Sequence, residues 1–237
     1  MPHYATLPEA LAGILAQDMT MSEALAAFAS ELERLKPAIA KANVALIERL
    51  RAVHAGVGAP AIGETLPHFM LPDENGNLRA LDEFTSRGPV VVSVVRGHWC
   101  PFCYIETSAL AKAAPALERA GASVVVIMPE KQIYARIVRD RSALAPVLSD
   151  MDCAYGMSIG LCFYVGDEIR NIFQETGNRL PVFQGLDSWF LPIPATFVLD
   201  RRGIVVERMV DPDFRLKRLS IDRIMAAIDS ATATGAG

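Results

Sequence analysis

Pro89-Val-Val-Val-Ser-Val-Val-Arg-Gly-His-Trp-Cys-Pro-Phe-Cys-Tyr-Ile-Glu106 changes character twice within one short stretch. Val90 to Val95 is an apolar, β-branched run, the composition of a strand buried on both faces. Arg96-Gly97-His98-Trp99 interrupts it. Pro101 suits the first turn of a helix, and Ile105 to Glu118, rich in Ala, Leu and Glu, continues one. Cys100-Pro-Phe-Cys103 therefore lies where a buried strand passes into a helix.

That placement has chemical consequences. The nucleophilic form of cysteine is the thiolate, and the unpaired N–H groups and positive dipole end of a helix N-terminus stabilise it. Free cysteine ionises near pH 8.5, and such sites lower this to roughly 3.5–7.5. The two-residue spacing puts Cys103 one turn below Cys100, within reach of a disulfide. A structural zinc site would need two further ligands, and Cys153 with Cys162, eight residues between them, makes a poor second knuckle. A redox pair is the reading adopted.

Composition sets bounds. The chain has 237 residues, 51% hydrophobic and 21% charged, enough for a sizeable core. A net charge of −4 leaves no basic footprint, so no nucleic-acid partner is expected. No apolar run approaches membrane-spanning length, and the N-terminus lacks the pattern of a signal peptide. Four cysteines do not make a disulfide scaffold in a chain of this length, so a cytoplasmic protein is expected. No Gly-rich phosphate loop or metal motif appears, and no cofactor is expected.

Working outward from the CxxC, Ser123–Met128 reads as a second buried strand, Pro129–Asp140 as a helix and Pro146–Asp150 as a short strand. Asp167–Glu175 reads as a helix and 178–191 as a loop. Ala195–Asp200 and Ile204–Val210 read as strands joined at Arg201-Arg-Gly203, followed by a helix from about Leu216 to Ile228 and a small-residue tail. Toward the N-terminus, Asn75-Gly76 signals a hairpin. Residues 8–55 read as helix almost throughout, with a start at Ser22-Glu23 and a kink or restart at Pro37. Gly56-Val-Gly-Ala-Pro-Ala-Ile-Gly63 is the linker. The division is a helical extension over 1–58 and an α/β domain with a central mixed sheet over 59–237.

Trp99-Cys-Pro-Phe-Cys103 at a strand–helix junction, with Ile193-Pro-Ala-Thr-Phe197 before a late strand, resembles the thioredoxin fold. The resemblance implies a cis-proline at Pro194, opposite the CxxC. A longer resemblance is to the peroxiredoxin-like branch of the alkyl hydroperoxide reductase/thiol-specific antioxidant family. It rests on Gly63-Glu-Thr-Leu-Pro-His-Phe-Met-Leu-Pro-Asp-Glu-Asn-Gly76, Arg96–Glu106, Leu191–Gly203 and Val210-Asp-Pro-Asp213, and covers about residues 60–230. It implies a thiol-dependent antioxidant oxidoreductase that reduces peroxides and is restored by an external dithiol such as thioredoxin. A protein-disulfide reductase or a non-enzymatic redox-sensing module is the alternative. Members carry Pro-x-x-x-Thr-x-x-Cys; aligning its cysteine with Cys103 puts Cys100 at the threonine and Arg96 at the proline. The arginine they place before the late strand falls near Pro194. These departures imply a site nearer to thioredoxin's.

Cys100, at the helix start, is expected to be the more exposed thiol and the nucleophile, with Cys103 resolving it; the family alignment allows the reverse. Arg96 either lowers a thiolate pKa or binds an oxygen substrate, or else pairs with Glu106. Trp99 shields the site or packs as an ordinary aromatic, Pro101 shapes the turn, and His98 reads as an exposed loop histidine or a proton donor. Cys162, beside Leu161 and Phe163, reads as a buried small hydrophobe, with a second disulfide to Cys153 the lesser alternative. The apolar stripes of 8–55 are expected to pack on the domain or in a homodimer interface, serving assembly rather than chemistry.

Overall fold

A computed structural model describes residues 4–234. Three helices come first: α1 (Leu7–Leu15), α2 (Met21–Leu35) and α3 (Pro37–Ala52). Helix α2 starts one residue before Ser22 because Thr20 caps it. The Thr20 hydroxyl accepts the Glu23 N–H at 3.3 Å, and the Glu23 carboxylate accepts the Thr20 N–H at 2.8 Å. Pro37 starts α3 at its first position, where a missing N–H costs nothing.

Then follow β1 (Met70–Pro72), β2 (Leu78–Ala80), α4 (Leu81–Thr85), β3 (Val90–Val94), α5 (Pro101–Arg119), β4 (Ser123–Met128), α6 (Gln132–Ser142) and β5 (Val147–Ser149). A 3-10 turn over Met151–Cys153 leads into α7 (Ala154–Ser158) and β6 (Cys162–Tyr164), then α8 (Asp167–Glu175), α9 (Leu180–Gln184), β7 (Phe190–Pro192), β8 (Ala195–Leu199), β9 (Val205–Val210) and α10 (Ile221–Thr234). The main sheet has the order β5-β4-β3-β8-β9. β4 runs parallel to β3, and β8 runs antiparallel on its other side, so the sheet is mixed. Central β3 is buried at every residue, as its continuous apolar run requires. β1 and β2 form the hairpin around Asn75-Gly76.

The stripes of the first three helices close onto the same core as the sheet: Leu25, Phe28, Leu46 and Ile47 share it with Val92 and Phe197. Phe28 of α2 meets Phe102 of α5 edge-on, ring centres 5.2 Å apart.

Three expectations need correcting. The stretch 178–191 holds α9 and the start of β7, which pairs with β6; both strands were too short to show a period. The last helix starts at Ile221 because Ser220 caps it, its hydroxyl accepting the Arg223 N–H at 3.3 Å, while Asp213 holds the preceding residues in a turn. It runs on to Thr234, and the remaining tail lies outside the described residues. The Ile193–Pro194 bond is trans: among the described residues the one cis peptide is Ala145–Pro146. The chain passes from β7 to β8 in extended form, with the Ile193 N–H donated to the Leu161 carbonyl at 2.8 Å, and makes no tight turn there.

Candidate active site

Cys100 is the N-cap residue of α5 and Pro101 its first helical residue. Both cysteines are buried, Cys100 1% exposed and Cys103 2%, so Cys100 is not the more exposed thiol. What separates them is orientation: Cys100 borders a cavity of about 780 Å³, whereas Cys103 is not part of its wall. The Cys103 sulfur points back to the strand end, where it accepts the Arg96 N–H at 3.4 Å.

Burial pushes the Cys100 thiol up. The Cys103 thiol directed at its sulfur, the Arg96 guanidinium, the Cys103 N–H and Arg218 outweigh that, and bring it down to about 6. For Cys103, burial, the hydrogen bond it gives to Cys100 and the charge on Cys100 all act upward, holding it well above the usual thiol range. The pair thus separates into a thiolate facing the cavity and a thiol behind it.

Arg96 lies over Phe214, 3.9 Å from the ring centre, and over Trp99 at 5.0 Å. Burial weakens its hold on the proton, and the titrating groups beside it are Cys100, Cys103 and Arg218. It does not pair with Glu106. Glu106 instead receives the Arg218 Nε–H at 2.6 Å and the hydroxyls of Ser93 and Thr196 at 3.0 Å each. Ser93 and Thr196 stand directly opposite each other on β3 and β8, which puts both hydroxyls under one carboxylate. Arg96 Nε, Trp99 Nε1 and Arg218 Nη2 are buried N–H donors without an acceptor.

His98 is not a solvated loop residue. Its N–H and Nδ1 both meet the Glu130 carboxylate, at 2.8 and 3.0 Å, and its ring stacks on Tyr134. Gly97 permits this approach: its φ is 142°, and a Cβ there would lie 2.6 Å from Trp99 Nε1 and 2.8 Å from the Glu130 carboxylate.

Arg96, Trp99, Cys100 and Pro101 meet at the cavity, with Cys103 beneath and Glu106 one turn deeper in α5. Pro194 is buried before β8 and takes no part in the wall. Much of the opposite wall is Leu7, Phe28, Leu32, Leu35 and Ile39 from α1–α3, joined by Ile172 and Phe173 of α8. The N-terminal helices pack on the domain and enclose the cavity, so they border the chemistry they were expected to stand apart from. Arg218 and Phe214 escaped the sequence reading. They follow in a run with Arg215 and Lys217, where a buried cation looks like its solvated neighbours.

A family model described as the AhpC/TSA family matches residues 62–208, more than half of the chain. The chain belongs to the AhpC/TSA family. As an AhpC/TSA protein it is a thiol peroxidase/thiol-disulfide oxidoreductase on a thioredoxin fold. The chain resembles peroxidoxin BcpB from Mycobacterium tuberculosis at 22% identity, covering 73% of this chain and 97% of that one, with a TM-score of 0.55. Against reduced 2-Cys peroxiredoxin from Plasmodium vivax the values are 16%, 74%, 99% and 0.54. For reduced Prx3 from Vibrio vulnificus in complex with H2O2 they are 16%, 71%, 98% and 0.55. No curated protein matches the sequence. Helices α1–α3 precede the matched residues, and no described helix is long and apolar enough to cross a membrane.

Proposed function

We propose that this AhpC/TSA protein reduces peroxides through a Cys100–Cys103 dithiol/disulfide cycle. The observation that carries the reading is the Cys100 sulfur at the cavity wall, with its charge supported by Arg96 and a protonated Cys103 behind it. The Cys100 thiolate attacks one peroxide oxygen, breaks the O–O bond and becomes a sulfenic acid, and the other oxygen leaves as an alkoxide or hydroxide that takes up a proton. Cys103 then attacks the Cys100 sulfur, water leaves, and a disulfide remains. The free donors Arg96 Nε and Trp99 Nε1 supply the polarising contacts for the peroxide oxygens, in place of the threonine the family carries. Glu106 and Arg218 position the floor of the site without touching substrate.

An external dithiol such as thioredoxin reduces the disulfide, which points to the reducing cytoplasm as the place of action. A cysteine 1% exposed suits a small oxidant better than a folded protein's disulfide, so peroxide reduction is preferred to disulfide exchange. The mostly apolar wall leaves room for the organic group of a hydroperoxide. Peroxide consumption driven by thioredoxin and its reductase, set beside insulin reduction, tests the reading. The wild type should consume peroxide, C100S should not, and C103S should stop after one turnover as a sulfenic acid trapped by dimedone. Insulin reduction without peroxide turnover would instead establish a disulfide reductase.

A further inference from the structure

The other two cysteines form a second pair that the peroxide chemistry does not use. Cys153 ends the 3-10 turn after β5, and Cys162 opens β6. The Cys162 thiol donates to the Cys153 carbonyl at 3.2 Å and lies within hydrogen-bonding reach of the Cys153 sulfur. Between them is Gly156: a carbon added there would lie 3.2 Å from the Cys162 sulfur and 3.8 Å from that of Cys153. Both sulfurs therefore border one small space that the glycine keeps clear.

The intervening chain is built to hold them so. Asp152 and Cys153 adopt successive positive φ angles of 68° and 59°, uncommon for residues with side chains. The Asp150 carboxylate accepts the N–H groups of Tyr155 at 2.8 Å and Gly156 at 2.9 Å, fixing the start of α7. Neither cysteine borders the cavity of Cys100.

We propose that Cys153 and Cys162 form a reversible intramolecular disulfide, a second redox couple that responds to the surrounding thiol–disulfide balance independently of Cys100 and Cys103. Cys162, the half-buried member, attacks one sulfur of a low-molecular-weight disulfide as its thiolate and expels the first thiol. Cys153, buried and held protonated until then, gives up its proton and attacks the Cys162 sulfur, expelling the second thiol. The protein loses two electrons and two protons, and the incoming disulfide is reduced to two thiols. The new bond ties the turn after β5 to β6, whose partner β7 leads directly into β8.

The test uses full-length C100S/C103S protein in graded mixtures of reduced and oxidised glutathione, with acid quenching, alkylation and trypsin digestion. Trypsin leaves both cysteines in the peptide 142–170, apart from the peptide 97–112 that carries the first pair, so the wild type gives an independent reading if the variant folds poorly. The expected product is that peptide lighter by two hydrogens and closed to alkylation. The native equilibrium constant should exceed that of the urea-unfolded chain by about tenfold, equivalent to roughly 30 mV. Equal constants in the two states would overturn the proposal, as would a glutathione adduct on Cys162 that never closes to Cys153.

Discussion

Arg218 commits its charge to Glu106, whereas Arg96 has aromatic faces and two sulfurs for neighbours, so Arg96 is the cation left to stabilise the Cys100 thiolate. Because folding lowers the Cys100 pKa from about 8.5 to about 6, the thiolate fraction rises with pH through about 6 and then levels off. Iodoacetamide labelling of the reduced protein should follow that curve. Arg96→Met should move its midpoint up by about one pH unit or more. An unmoved midpoint would assign the lowering to the Cys103 thiol and N–H at the helix terminus and to Arg218. The linked stability has the same sign: it is fully present above the unfolded thiol's pKa and is lost as pH falls through about 6. Glu106→Gln removes the counter-charge of a guanidinium whose side chain is 2% exposed, and should cost about 3–5 kcal/mol in urea unfolding. A change under about 1 kcal/mol would show that Arg218 finds solvent or another partner.

At the scale of elements, helices α1, α2 and α8 set what can approach the sulfur. Leu32 lies on the cavity wall and is 6% exposed, so a larger ring at that position has the cavity to grow into. Leu32→Trp should therefore slow reduction of cumene hydroperoxide at least several-fold and leave hydrogen peroxide nearly unchanged. Equal losses for both substrates would mean that the cavity is not the approach route. Much of this layer was legible beforehand. Val90–Val95, Ser123–Met128 and Ala195–Asp200 announce buried strands by β-branched runs, and Pro37 and Pro101 mark helix starts. The placement of Cys100 and Cys103 at a strand–helix junction followed from local signals alone. What failed was non-local. Nothing in the sequence tells Arg218, 112 residues from Glu106, that its partner is there, and nothing within 8–55 says which face closes a cavity. The proline expectation failed differently: Pro194 matched a pattern, but an extended passage between β7 and β8 asks for a trans bond.

For the molecule as a whole, the family match starts at residue 62, yet the core does not. Phe28, Leu46 and Ile47 of the N-terminal helices and Phe102 and Ile105 of α5 belong to one continuous cluster. We propose 59–237 as the enzymatic unit and 1–58 as a wall fitted to it, whose apolar stripe is largely spent within one chain; of that stripe only Val44 and Val53 stay exposed for a homodimer to use. Deleting residues 1–55 should uncover Phe102 and open the cavity. Since burying one such aromatic contributes about 1.5–3 kcal/mol, the truncated protein should lose several kcal/mol of stability and bind a hydrophobic dye. Its Cys100 should also react faster with a bulky maleimide than the full-length thiol does, while the difference for a small alkylating agent stays slight. Measured together by urea unfolding, dye fluorescence and labelling rates, these outcomes separate a wall from an assembly device. A truncated protein of unchanged stability and unchanged maleimide rate, but with half the full-length mass in solution relative to its protomer count, would show that the helices serve the dimer and leave the cavity as it was.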